Sequence, residues 1–106
     1  MMNIEIQHGV MYVDQVRFSF VGAGDGRNDI QPGSYPVEAR YSHNHGKTLP
    51  HADGLGWLGF TPDCAIIVGK VRAGNGLIPS SDMVQRLVTC IETCEEIGRG
   101  VVLEVK

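Results

Sequence analysis

The sequence predicts a mainly β domain (α+β) with one C-terminal helix packed on it, a single unit spanning residues 1–106. Three observations carry that prediction. Apolar and polar residues alternate in the N-terminal half, as Val16, Phe18 and Phe20 do with Arg17 and Ser19. A continuous apolar run, "CAIIVGKV", follows residue 63 and fits a central strand buried on both faces. Only "SSDMVQRLVTCIETCEEI" has a helical period, with Met83, Leu87, Cys90, Ile91, Cys94 and Ile97 on one stripe widened by Val84 and Val88.

Taken in order, "NIEIQH" reads as a short strand with Ile4 and Ile6 on one face. "VMYVDQVRFSFV" holds one or two strands, and "GAGDGRNDIQPG" collects turn residues into a surface loop. That Gly-x-Gly-x-Gly is a weak phosphate-loop match, because no helix follows to present amide groups. "SYPVEARYS" is the next strand, "HNHGKTLPHADG" a polar loop, and "GLGWLGF" a glycine-rich segment around the chain's single tryptophan. "RAGNGLIP" reads as another loop. Ser80 or Ser81 can cap a helix running to about Ile97, where Gly98 stops it. "GVVLEV" closes as a strand, giving about six or seven strands in all.

Composition narrows the function classes. At 106 residues the chain buries one modest core, and 42% apolar content is enough for it to fold. The net charge is −3 and no segment concentrates Lys or Arg, which argues against nucleic acid as a partner. The opening "MMNIEIQHGV" does not read as a signal peptide, and no apolar run approaches membrane-spanning length. A cytoplasmic protein, with no membrane partner and no cofactor, is the expectation. Three reduced cysteines are expected too, since Cys90 and Cys94 lie a helical turn apart and aim poorly for bridging.

The candidate chemistry centres on Cys64, at a loop-to-strand junction where a nucleophile can be held rigidly, although the plainer reading is that Cys64 is simply the first buried residue of its strand. A thiol attacks as its thiolate and needs a neighbouring base. His51, upstream across the Gly-Trp-Gly segment, is the natural candidate, and His43 and His45 share its loop. Asp63 opposes a Cys64 thiolate by like-charge repulsion, unless it orients an imidazole instead. His43, His45, His51 and Asp53 are ligand types that suit Zn²⁺, but a His-x-His in a polar loop is usually just solvated, and no metal is expected. Trp57, with Phe60 just beyond, is a core residue or an anchor for a partner. Cys90 and Cys94 read as small core hydrophobes.

From Ile30 onward the order of features resembles a phage-encoded domain that is itself similar to the catalytic domain of L,D-transpeptidases. "IQPGSYPV" resembles that domain's Ile-Pro-x-Gly-x-Tyr-x-Val strand entry, "YSHNHGKTLP" its segment ending in Gly-x-x-Leu-Pro, and "CAIIVGK" its Gly-Cys-Ile-x-x-Gly strand. Ser81 and "MVQRLVTCIE" match its C-terminal end. The resemblance implies a transpeptidase-like fold with Cys64 in the nucleophile position and His51 near that of the activating histidine. The departures fall on the chemistry. "TPD" stands where the family has Ser/Thr-His-Gly, Asp63 replaces the glycine before the cysteine, and the arginine after Cys-Ile is absent.

Two functions follow. In the first, the active site has eroded and the domain acts in a host cytoplasm by binding, and inhibiting, a host or defence protein. His43, His45, Asp53, Trp57 and Phe60 would then form the binding surface. In the second, Cys64 and His51 catalyse acyl transfer or hydrolysis on peptidoglycan peptides. The sequence leaves monomer and homodimer equally open.

Overall fold

The structure is a computed structural model that describes residues 1–24, 29–74 and 76–106. Among the described residues, nine strands and one helix follow one another. They are β1 (Met2–Gln7), β2 (Val10–Val13), β3 (Val16–Ala23), β4 (Gly33–Ser42), β5 (Lys47–Ala52), β6 (Gly56–Gly59), β7 (Ile66–Ala73), β8 (Gly76–Pro79), α1 (Ser81–Glu96) and β9 (Val101–Val105). The mainly β fold with one packed C-terminal helix agrees with the sequence pattern.

The strand order is β3-β2-β1-β9-β4-β5-β6-β7-β8, and β3 also pairs with β7. That pairing closes the sheet into a barrel-like ring. Gly69 on β7 pairs with Phe20 of β3 and with Pro79 of β8, so these two strands lie on opposite edges of β7. β8 therefore extends the edge begun by β6 and stays outside the ring. Tight turns set the first hairpins. His8-Gly9 and Asp14-Gln15 all have positive φ, the conformation that matches a two-residue turn to strand twist.

Two strands lie where the sequence predicts loops. Lys47–Ala52, inside the polar "HNHGKTLPHADG", is β5, paired with β4 from Ser42↔Lys47 to Val37↔Ala52. Gly76–Pro79, inside "RAGNGLIP", is β8. Neither shows clean alternation, and each contains a proline, which removes a ladder donor. β5 is held instead by burial, because Leu49 and Ala52 are fully enclosed. The Gly-x-Gly-x-Gly loop runs from the end of β3 into residues 25–28, outside the described residues.

The helix packs across β4, β5, β6 and β7. Its buried face is Met83, Val84, Leu87, Val88, Ile91 and Cys94, opposite Leu49, Leu58, Ile66 and Val68 in one cluster. Burying each such aliphatic side chain stabilises the fold by about 1.5–3 kcal/mol. Ser80 is the N-cap, its hydroxyl accepting from Met83 N at 3.2 Å. Ile97 caps the C-terminus rather than extending the stripe, and is 70% exposed. Gly98, at φ 72°, reverses the chain. Gly98 N then donates to Glu95 O and Arg99 N to Cys94 O, a Schellman closure. Cys94 is buried in the helix face, Cys90 is partly buried, and all three cysteines are free. Among the described residues no helix is long and apolar enough to cross a membrane.

Candidate functional site

Two chain reversals meet at one end of the β4–β7 wall. The first is the β4–β5 hairpin. β4 ends at Ser42, and the amides of His45 and Gly46 both donate to Ser42 O, at 3.2 and 2.8 Å. Gly46 sits at φ 67°, in the left-handed region, and turns the chain into β5. This hairpin carries Ser42 and His45.

The second reversal joins β6 to β7. These strands are parallel, yet only residues 60–65 connect them. Parallel neighbours ordinarily need a crossover of about a dozen residues. Here Cys64 N donates to Thr61 O at 3.1 Å and Ala65 N to Trp57 O at 2.9 Å, winding the link into a tight coil. Thr61, Asp63 and Cys64 are thereby presented together. Gly59 and Gly24 make this possible. A Cβ on Gly59 would overlap the Cys64 sulfur, and one on Gly24 would overlap the Cys64 carbonyl.

The imidazole of His45 lies between the two reversals. Its Nδ1 is 2.7 Å from Ser42 Oγ. Its Nε2 is 3.0 Å from Asp63 Oδ2, 3.1 Å from Thr61 Oγ1 and 3.8 Å from Cys64 Sγ. Thr61 Oγ1 is also 3.5 Å from the sulfur. The His45 side chain is 9% exposed and Cys64 is 1% exposed, whereas the Asp63 side chain is 60% exposed. The cluster thus has a buried thiol, a nearly buried imidazole and a carboxylate facing water.

Hydrogen-bond accounting assigns the proton on the ring. The Thr61 hydroxyl has one proton and donates it to Asp63 Oδ1, so toward His45 it can only accept. Asp63 accepts as well. Both neighbours require a proton on Nε2, leaving Nδ1 of the neutral ring to accept from Ser42. Ser42 can equally accept if the proton moves to Nδ1, since a hydroxyl serves either role. The Asp63 carboxyl is held below the ordinary carboxylate range, first by the Thr61 hydrogen bond and then by His45.

The other predicted residues lie elsewhere. His51 is in β5, paired across to Trp57 with ring centroids 4.7 Å apart, and its Nδ1 is 3.3 Å from Arg40 Nη1. The histidine facing the thiol is His45, nineteen residues upstream of Cys64. His43 is exposed, edge-on to Tyr41. Asp53 is exposed and lines a cleft of roughly 300 Å³ with Pro36, Val37, Glu38 and Arg40. Trp57 and Phe60 are half-buried against the core, and Lys47 Nζ lies 5.0 Å over the Phe60 ring. Sequence reasoning passes over Ser42 and Thr61 as site residues. Their signal is local: Ser42-x-x-His45 fits one tight hairpin, and Thr61-x-Asp63-Cys64 one coil.

The fold and this cluster define a small β barrel with a Cys-His-Asp site at one end of its helix-covered wall. Compared with protein-family models, curated proteins and solved structures, the chain finds no match.

Proposed function

We propose that the domain is a cysteine-dependent acyl transferase or hydrolase acting on a peptide carbonyl, with Cys64 as nucleophile and His45 as base. The observation carrying this reading is the relay Ser42–His45–Cys64: a thiol and an imidazole 3.8 Å apart, with the ring oriented from behind at 2.7 Å. Nucleophile, base and orienter in sequence is the usual signature of an activated nucleophile. Separations of this size commonly tighten when substrate binds.

The steps balance on the residues present. The ring's proton first shifts from Nε2 to Nδ1 by exchange with water, where it is donated to Ser42. Nε2 then takes the Cys64 proton, leaving a thiolate and an imidazolium facing Asp63. The thiolate attacks the carbonyl carbon, the C–N bond breaks, and the departing amine takes the Nε2 proton. A second amine or water then cleaves the thioester. The transpeptidase resemblance makes a peptidoglycan stem peptide the substrate class to test.

A specific observation favours a second reading, in which the site has eroded and the domain binds a host or defence protein. Asp63 already occupies Nε2 at 3.0 Å, and Cys64 is 1% exposed. The cleft lined by Glu38, Arg40 and Asp53 beside the His51–Trp57 pair offers such a partner a polar surface.

Intact-mass analysis after incubation with muropeptides separates the two. The acyl-enzyme reading expects a covalent adduct on Cys64 that His45→Ala prevents. Absence of both adduct and product, with capture of a host protein retained by Cys64→Ala, would replace it with the binding reading.

A further inference from the structure

The same cluster has a second chemical capacity that does not depend on turnover. His45 Nε2, an Asp63 carboxylate oxygen and Cys64 Sγ all lie within 4.8 Å of one another. Among the described residues this is the group of three His, Cys, Asp or Glu side chains so arranged. We propose that His45, Asp63 and Cys64 bind a borderline-soft divalent cation, Zn²⁺ being the best fit, with the fourth position open to water.

Ligand geometry supports this. A tetrahedral Zn²⁺ with bonds of about 2.0–2.1 Å to N and O and about 2.3 Å to S has edges of about 3.3 Å (N to O) and about 3.6 Å (N to S). The observed separations are 3.0 Å from Nε2 to Asp63 Oδ2 and 3.8 Å from Nε2 to Sγ. The two edges at Nε2 are within a few tenths of an ångström of these values, and the exposed Asp63 side chain can swing to bring its oxygen, within 4.8 Å of the sulfur, to the O-to-S edge of about 3.6 Å. One nitrogen, one sulfur and one oxygen select against Mg²⁺ and Ca²⁺, which take oxygen ligands.

The supporting shell is also in place. A metal-bound histidine needs a partner at its other nitrogen, and ligating carboxylates are themselves hydrogen-bonded. Ser42 Oγ is 2.7 Å from His45 Nδ1, and the Thr61 hydroxyl donates to Asp63 Oδ1, leaving Oδ2 for the cation. On binding, the Nε2 proton moves to Nδ1 and Ser42 becomes the acceptor. The Cys64 thiol loses its proton to solvent, one proton for each cation bound. The cation would engage the sulfur's lone pair, so a loaded protein would be protected from alkylation at Cys64.

Co²⁺ titration of the chelator-treated full chain, followed by absorption, tests the site. The expected result is one equivalent of Co²⁺ with a thiolate-to-cobalt charge-transfer band. Cys64→Ser should lose the band, Asp63→Asn and Ser42→Ala should weaken binding about 10-fold or more, and Zn²⁺ should displace the Co²⁺. Asp63 is largely solvent-facing, so Asp63→Asn tests the site without disturbing the core. No binding, unchanged affinity in Asp63→Asn, or a band surviving Cys64→Ser through Cys90 or Cys94 would overturn the proposal. None of these readouts requires peptide cleavage, so the cation site and the proposed activity can fail separately.

Discussion

Gly59 and Cys64 face each other so closely that a methyl group on the glycine would occupy the place of the sulfur. The glycine is therefore required by packing against the thiol. Gly59→Ala should cost about 1–3 kcal/mol by overpacking. In a Cys64→Ala background, where the sulfur is gone, most of that cost should disappear. Urea denaturation of the four proteins in the cycle measures this coupling, and additive costs would show that the clash is relieved elsewhere.

His45 and His51 should behave differently. Loss of the imidazole facing the sulfur in His45→Ala should slow alkylation of Cys64 by iodoacetamide, because the neighbouring base that can take the thiol proton is gone. His51→Ala, which removes contacts to Arg40 and Trp57, should leave the rate of Cys64 alkylation by iodoacetamide unchanged. Peptide mass mapping of the alkylated site reads both variants. Equal effects of the two substitutions would separate function from the geometry at Cys64.

Asp63 gives the fold a pH-dependent contribution. Its carboxyl is held below the ordinary range by Thr61 first and His45 second, so ionisation is favoured more in the native chain than in the unfolded one. The resulting stability is present above the unfolded value of about 3.9 and is lost as pH falls through the lower native value. Exposure of the side chain keeps the effect small. Asp63→Asn should flatten the acid limb of stability against pH in chelator-treated protein, by slightly lowering stability at neutral pH and leaving it unchanged in strong acid. Thermal melts across acid pH measure it.

Trp57 is half-buried against the core and edge-on to His51. Trp57→Ala should destabilise by about 3 kcal/mol, the lower end for truncating a large aromatic. The denaturation midpoint should fall with its slope unchanged. A cost near zero would identify the ring as surface available to a partner.

Strands with alternation or a continuous apolar run were legible in the sequence, as was the helix, because each carries its own periodic signal. β5 and β8 were not. Pro50 and Pro79 interrupt their patterns, and β5 exists because the hairpin register buries Leu49 on one face of the strand and Ala52 on the other. The site divides the same way. Cys64 stands out at the head of an apolar run. Its imidazole partner is set by the Ser42–Lys47 turn and by the short parallel link, neither of which follows from separation along the chain. Asp63 reads in sequence as an opponent of the thiolate, whereas in space it also holds the ring.

β9 lies between β1 and β4, pairing in parallel with one and antiparallel with the other. During synthesis, neither neighbour has its shared strand until residues 101–105 have left the ribosome. Hairpins β1–β2–β3 and β4–β5 can form early from local contacts, but the ring must wait for this distant piece. Until it docks, the wall that buries Cys64 lacks its connection to β1. Closure of the ring, and with it the full burial of Leu103 and of Ile4 opposite it, therefore depends on five residues far downstream.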